Sequence, residues 1–222
     1  MMAKSKLRVV EVFDSIQGEG GLMGLPHTFI RLAGCNLRCR WCDTKYALDA
    51  PGVEMSVDDV VSKVNCGYVC LTGGEPLLQD VYGLLGGLKG KKVTVETNCT
   101  VRDERLDEFV FLYSVSPKLS SSGEGYDVRV LESYLNLDNV RVKFVVCDDD
   151  DFLEAVSIVE KYNAFVRGKV VLQPDGMCSM SEYQRRLGWL CGKVMGCEVL
   201  VRSDVRVLLQ LHKVIWGNKR GV

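Results

Sequence analysis

Short β-branched runs alternate with segments of helical period along this chain, and that alternation limits its fold more tightly than any other feature. LRVVEVF (7–13), HTFIRLAG (27–34), GYVCLT (67–72), KVTVET (92–97), FLYSVS (111–116), VRVKFVV (140–146) and KVVLQP (169–174) read as strands. Between them, SVDDVVSKV (56–64) with Ser56 as N-cap, PLLQDVYGLLGGL (76–88) opening on Pro76, DERLDEF (103–109), YDVRVLESYL (126–135) and DDFLEAVSIVEKY (150–162) read as helices. SEYQRRLGWLCG (181–192), CEVLV (197–201) and SDVRVLLQLHKVIWG (203–217) complete the pattern. Repeated strand and helix build a parallel sheet, because a parallel neighbour is reached only by a crossover connection. About six βα units are present, fewer than the eight of a closed barrel. The expected fold is therefore α/β, an incomplete (β/α) barrel, with an open doubly wound sheet as the other architecture.

Both architectures hold ligands at the carboxyl ends of their strands, and polar motifs fall at those ends. Cys35 follows the second strand, Thr72-Gly73-Gly74-Glu75 the third, Glu96-Thr97-Asn98 the fourth, Ser116-Pro117-Lys118 the fifth and Gln173-Pro174 the last. These groups are expected to converge on one rim. QGEGGLMGLP (17–26) reads as a Gly-rich turn, DDDD (148–151) as a solvated loop entering a helix, and SSSGEG (120–125) as the most mobile loop.

A chain of 222 residues, 47% apolar and 26% charged, is of the size and composition of one globular domain, and no repeat or linker divides residues 1–222. A net charge of −1 excludes broad electrostatic binding to nucleic acid, which needs a basic stripe. No segment reaches the ~18 apolar residues of a membrane span, and the N-terminus lacks the apolar core of a signal peptide, so a cytoplasmic location is expected. Ten cysteines in so long a chain do not signal a disulfide scaffold. Cys66, Cys70, Cys147, Cys191 and Cys197 lie in or beside apolar runs and read as small buried hydrophobes.

GCNLRCRWCDT (34–44) is different, because polar residues surround Cys35, Cys39 and Cys42. Three thiolates cannot close a tetrahedral structural zinc site. They can bind three irons of a [4Fe-4S] cluster and leave the fourth iron open to an exogenous ligand. Zinc completed by His27 or by a distant cysteine is the alternative at this point.

Cys-x3-Cys-x2-Cys with Trp41 before the last Cys resembles the cluster loop of radical S-adenosylmethionine (SAM) enzymes, and TGGEP (72–76) resembles their Gly-Gly-Glu segment. FDSIQGEG (13–20), FIRLAGCNLRCRWCDT (29–44), ETN (96–98), SPK (116–118) and QLHKVIWGNKRGV (210–222) together resemble the 7-carboxy-7-deazaguanine synthase family. The similarity runs in order from about residue 11 to the end of the sequence. It implies a carbon-nitrogen lyase that uses a [4Fe-4S] cluster, SAM and Mg²⁺. Such an enzyme converts 6-carboxy-5,6,7,8-tetrahydropterin to 7-carboxy-7-deazaguanine with release of ammonia, in 7-deazapurine (queuosine or archaeosine) biosynthesis. It further implies hydrogen removal from C6 of the pterin by a 5'-deoxyadenosyl radical, return of that hydrogen, and regeneration of SAM. An external electron donor such as flavodoxin or ferredoxin and a homodimer are also implied.

Carried over position by position, the resemblance assigns the cluster to Cys35, Cys39 and Cys42, and the SAM pocket to Trp41, Cys42, Asp43, Gly74, Ser116, Pro117 and Lys118, with Gln173 at the same rim. It assigns the substrate to Ile16, Gln17, Gly18, Glu19, Arg31 and Thr72, and Mg²⁺ to Thr44, which otherwise reads as an N-cap. Chemistry supports several of these. Gly73-Gly74, lacking Cβ atoms, let main-chain groups approach the methionyl amine. The Glu19 carboxylate suits two parallel N–H bonds from a guanidine-like edge, and Arg31, a charge on an apolar strand, needs a partner that a substrate carboxylate would supply, with an internal ion pair as the alternative. Cys99 stands where the family often has Gly. His212 and Trp216 read as packing for the last helix, with a place beside the substrate as the other reading, and Lys219 and Arg220 read as solvated tail charges.

Two other functions share part of this pattern. A glycyl-radical-enzyme activating enzyme has the cluster loop and the Gly-Gly-Glu segment but acts on a protein, and would consume SAM. A zinc- or cluster-stabilised binding module would form no 5'-deoxyadenosine under reduction.

Overall fold

β1 (Lys6–Ile16) runs antiparallel to β2 (Pro26–Leu32), with the Gly-rich segment 17–25 turning between them, in a computed structural model that describes residues 6–222. The sequence reading of the first five residues lies outside the described region. β3 (Val53–Ser56) pairs antiparallel with the other edge of β1. From β2 outward the sheet is parallel, adding β4 (Tyr68–Gly73), β5 (Lys92–Thr97), β6 (Val110–Val115), β7 (Val140–Val146), β8 (Val170–Pro174) and the short β9 (Arg206–Val207). The order is β3-β1-β2-β4-β5-β6-β7-β8-β9.

That order decides between the two expected architectures. A doubly wound sheet reverses its strand order at a switch point. Here the parallel strands follow chain order without reversal, as in a barrel, and the sheet stays open because β3 and β9 end it without pairing with each other. All of β8, all of β6 but Phe111 and the central four residues of β4 are buried, which is why these strands read as continuous apolar runs.

Helices α1 (Val57–Val61), α2 (Tyr82–Gly87), α3 (Val128–Leu135), α4 (Asp149–Lys161), α5 (Asn163–Val166), α6 (Met180–Met195), α7 (Glu198–Arg202) and α8 (Leu211–Trp216) lie between or after the strands. Ser56 caps α1 as its sequence suggests, accepting from Asp59 N. Three local expectations change. Pro76 opens only a 3-10 turn, since Gln79 is extended and α2 begins at Tyr82. DERLDEF forms a 3-10 turn at Glu104–Leu106. Residues 148–151 are not a solvated loop: Asp148 caps α4, Asp149 to Asp151 fill its first turn where the helix dipole favours negative charge, and Asp151 is fully buried.

A continuous cluster of buried side chains runs from Leu7 to Leu200, with Ile30, Leu32, Leu71, Val95, Tyr113 and Phe144 wholly covered along the sheet. Truncating any of these leucines or isoleucines to Ala costs about 2–5 kcal/mol, enough to disturb the strand ends that carry the polar motifs. All ten cysteines are free. Cys70 is buried and Cys66, Cys147 and Cys197 are half-buried, but Cys191 is exposed, because it faces outward on α6. No helix among the described residues is long and apolar enough to cross a membrane.

Candidate active site

The strand-end motifs meet around a cavity of about 480 Å³. Ile16, Gln17, Gly18, Glu19, Arg31, Cys35, Cys39, Trp41, Cys42, Asp43, Thr44, Thr72, Gly74, Ser116, Lys118 and Gln173 all line it. Pro117 does not; it is buried behind Ser116 and Lys118 and shapes the turn that presents them.

The cysteine loop has little regular structure and is held by its neighbours. Leu37 N points at Cys35 Sγ at 3.4 Å and Asn98 Nδ2 at 3.8 Å, so β5's carboxyl end orients the first thiol. Arg40 N donates to Ser122 O at 2.9 Å, Trp41 Nε1 to Ser121 Oγ at 3.1 Å and Arg38 N to Glu124 Oε1 at 2.6 Å. Residues 120–125 are therefore a clamp for the cluster loop rather than a free loop. Their own anchor is the buried Asp151, whose Oδ1 accepts from Ser121 N at 2.9 Å.

Burial, together with the neighbouring thiols, pushes the Cys39 and Cys42 thiols up, so these groups become thiolates when a cation is bound among them. All three thiols line the same cavity, as ligands to three irons of one cluster would. The ligands that would complete a zinc site fall away. His27 lies near the amino end of β2, about 20 Å of strand from the loop, with Nδ1 on Leu25 O at 2.9 Å. Cys99 is wholly buried, does not line the cavity, and burial pushes its thiol up to about 12. Its φ of 68° is the left-handed region that favours glycine, which accounts for the glycine often found there in the resembling family.

Gly73 and Gly74 have a reason within the protein itself. A Cβ on Gly73 would lie 2.3 Å from Leu32 O, and one on Gly74 would lie 2.2 Å from Gly34 O and 2.7 Å from Cys35 Cβ. The pair lets the end of β4 pass against the root of the cysteine loop. Glu75 is fully buried and faces the fold, accepting from Leu77 N at 3.1 Å, Thr97 Oγ1 at 3.0 Å and Asn98 N at 2.6 Å. Burial raises its carboxyl, against the pull of those donors.

In the same cavity Glu19 is paired with Lys143 of β7, and also accepts from Gln173 Nε2 at 3.1 Å and Gln210 Nε2 at 2.7 Å. Burial would raise the Glu19 carboxyl, but Lys143 and His212 outweigh it and hold it well below the usual carboxylate range. Burial would likewise lower Lys143, and Glu19 reverses this. Lys143 and Gln173 both use Oε2, so Glu19 cannot accept two parallel N–H bonds as its sequence context suggests. Gln17 is also engaged, giving Nε2 to Glu96 Oε1 at 3.2 Å, and Thr72 Oγ1 donates to Glu96 Oε2 at 3.0 Å.

Arg31 finds its partner inside the chain. Its Nε donates to Glu11 Oε1 at 2.7 Å, and Tyr46 OH donates to the same oxygen at 2.7 Å. Among the described residues nothing engages its Nη nitrogens, so that edge is available to the cavity. His212 also lines the cavity rather than merely packing α8; its ring, Glu19 and Asp43 place ligand atoms within 4.8 Å of one another. Trp216 is half-buried and does not line it. Lys219 and Arg220 are not simple tail charges: both line the cavity, and the Arg220 guanidinium stacks 3.5 Å from the Tyr46 ring centroid. Thr44 sits at an N-cap position without capping, its hydroxyl donating to Asp43 Oδ1 at 2.8 Å.

The family model described as the Radical SAM superfamily matches residues 29–165. A 7-carboxy-7-deazaguanine synthase of Pyrobaculum aerophilum is 39% identical over 233 residues, covering 100% of both chains. One from Bacillus cereus is 32% identical, covering 98% of this chain and 100% of its own. This chain belongs to the 7-carboxy-7-deazaguanine synthase family. The crystal structure of QueE from Escherichia coli shares the fold, with a TM-score of 0.69 at 24% identity over 93% of this chain and 95% of that one. Nothing among these relatives supports the activating-enzyme alternative.

Membership of the synthase family, within the radical SAM superfamily, implies a [4Fe-4S] cluster and SAM, and three free thiols lining one cavity fit the former. Glu96 lines the cavity as its place at a strand end suggests, whereas sequence reading missed Lys143, Gln210 and Tyr46 as parts of the synthase-family cavity. Lys143 carried the same signal as Arg31, a lone charge on an apolar strand; Gln210 and Tyr46 carried none.

Proposed function

We propose that this chain, a single domain over residues 1–222, is a 7-carboxy-7-deazaguanine synthase. It would contract the ring of 6-carboxy-5,6,7,8-tetrahydropterin and release ammonia. The observation that carries this reading is that one cavity is lined by three thiols, Cys35, Cys39 and Cys42, by a largely buried carboxylate, Glu19, and by a guanidinium, Arg31. That arrangement fits a small anionic heterocycle with N–H donors.

In this reading Cys35, Cys39 and Cys42 hold the cluster. Trp41, Asp43, Gly74, Ser116 and Lys118 border the SAM pocket, with Pro117 supporting it from behind. The cluster and SAM, when bound, supply the one-electron chemistry that removes a hydrogen atom from the substrate. The Nη edge of Arg31 pairs with the substrate carboxylate while Glu11 and Tyr46 keep the guanidinium in place. Ile16, Gln17 and Gly18 form the wall beside Glu19, and the Thr72 hydroxyl, still free to accept, faces the ring. Thr44 keeps its lone pairs for Mg²⁺, with Asp43 adding negative charge; most other ligands would be substrate oxygens and water, so Mg²⁺ binding follows substrate binding. Burial lowers the Lys118 ammonium, its Nζ donating to Ser116 O and Oγ at 2.8 Å, and it carries charge beside Cys39 and Trp41. A low-potential flavodoxin or ferredoxin is the expected electron donor, and a homodimer the expected assembly.

The test is anaerobic incubation of reconstituted protein with reductant, Mg²⁺, sub-stoichiometric SAM and the tetrahydropterin, following product mass and residual SAM. Multiple turnovers with ammonia loss support the reading. An unchanged pterin beside released 5'-deoxyadenosine refutes it.

A further inference from the structure

Asn98, just past the carboxyl end of β5, lines the cavity at 6% exposure, and both polar atoms of its side chain are engaged. Its Oδ1 accepts from Thr100 N at 3.1 Å and from Thr100 Oγ1 at 2.6 Å. Its Nδ2 carries two protons. That nitrogen donates to Asn36 Oδ1 at 3.0 Å and lies 3.8 Å from Cys35 Sγ, within reach of a hydrogen bond to sulfur.

The amide is locked in this sense. The backbone N–H of Thr100 can only donate, so the oxygen faces it and the nitrogen turns to Cys35; a flip would set oxygen against sulfur. Asn36 Nδ2 donates to Thr100 Oγ1 at 2.8 Å, which closes a ring of three side chains. The backbone is held as well, because Asn98 N donates to Glu75 Oε2 at 2.6 Å. Glu75 is fully buried and does not line the cavity, so the carboxylate of the Gly-Gly-Glu segment bears on the cysteine loop through this residue. Leu37 N approaches the same sulfur at 3.4 Å, and among the described residues no other side chain donates to a sulfur of the three-thiol loop.

A sulfur that receives N–H bonds carries added negative charge more readily. Reduction of a [4Fe-4S] cluster takes one electron from a low-potential donor, breaks no bond and spreads charge onto the thiolate sulfurs, and hydrogen bonds to those sulfurs help to set its potential. We propose that Asn98 raises the reduction potential of the cluster by donating through Nδ2 to Cys35 Sγ. Thr100 and Asn36 are positioning residues that aim the amide, and Glu75 fixes its backbone. This assignment rests on the cluster being held by Cys35, Cys39 and Cys42, and it is independent of the pterin.

The experiment is a potentiometric titration of the anaerobically reconstituted full chain without SAM, followed by electron paramagnetic resonance of the reduced cluster, with iron per chain measured on every sample. Asn98→Leu keeps the approximate shape of the side chain and removes the donor. It should lower the equilibrium constant for reduction about tenfold, the order of one hydrogen bond to a charged group, which for one electron is a shift of about 59 mV to more negative potential. Asn98→Asp, which also adds a negative charge, should shift the potential further the same way. Thr100→Val leaves Asn98 in place but removes the hydroxyl that holds its amide. It should give a smaller shift of the same sign, and it decides the question should neither Asn98 variant fold. A merely structural role predicts fewer irons per chain with an unchanged potential in the loaded fraction, and that result overturns the assignment alone. A wild type that takes up no [4Fe-4S] cluster overturns the cluster reading and this assignment together.

Discussion

Replacing Lys143 with Met would remove one charge of the Glu19 pair while keeping the length of the side chain. Both partners are only 13% exposed at the side chain, so the loss leaves a carboxylate with two glutamine amides and His212 for company. Breaking one side of such a pair costs about 3–5 kcal/mol. At 2–4 °C per kcal/mol for a chain of this size, the thermal midpoint should fall by about 6 to 20 °C. The pH dependence gives a sharper test. In the wild type the folded Glu19 carboxyl lies below its unfolded value, so its contribution is present above that value and is lost as pH falls. Lys143 lies above its unfolded value, so its contribution is present below that value and is lost as pH rises. Without Lys143, only His212 and the glutamine amides still oppose burial, so the folded Glu19 carboxyl rises above its wild-type position. The deficit of the variant is full where Glu19 is ionised in both chains and shrinks as pH falls toward the raised carboxyl, so it should be larger at pH 8 than at pH 5. Glu19→Gln added to Lys143→Met removes the stranded charge and should restore stability to within about 1 kcal/mol of the wild type. Thermal and urea unfolding followed by circular dichroism measure all three chains. A Lys143→Met protein within about 1 kcal/mol of wild type at pH 8, or a deficit that does not shrink at pH 5, refutes the electrostatic account.

Ser at Cys35, Cys39 or Cys42 should each abolish stable loading of the cluster, read as loss of its visible absorbance and of bound iron from the ~4 per chain of a complete cluster. Cys99→Ser should retain it, because Cys99 does not reach the cavity. Gly74→Ala drives a Cβ toward Gly34 O and Cys35 Cβ, and should cost about 1–3 kcal/mol and reduce iron incorporation in parallel. Glu75→Ala leaves Leu77 N, Asn98 N and Thr97 Oγ1 without their acceptor, at about 1–3 kcal/mol for each donor that stays buried, measurable by urea unfolding of the unloaded protein.

The parallel α/β frame, the clustering of polar motifs at the carboxyl ends of strands and the three-thiol loop are all legible in the amino-acid order. Each of these is written in local order: period, punctuation and spacing within a dozen residues. That order also shows that Arg31, alone in charge on an apolar strand, must have a partner. Only the tertiary structure decided which. The partner is Glu11, 20 residues away on the neighbouring strand, and Glu19 meets Lys143 across 124 residues and Gln210 across 191. Such pairings depend on strand register and on where the chain returns after β9, and neither leaves a local trace. For the same reason Asp151, in an acidic run that reads as a solvated loop, became the buried anchor of the segment that clamps the cluster loop. Gly74 shows both levels at one residue. Its place after a strand was legible, but the carbonyl of Gly34 that forbids it a side chain is brought there only by the packing of β4 against β2.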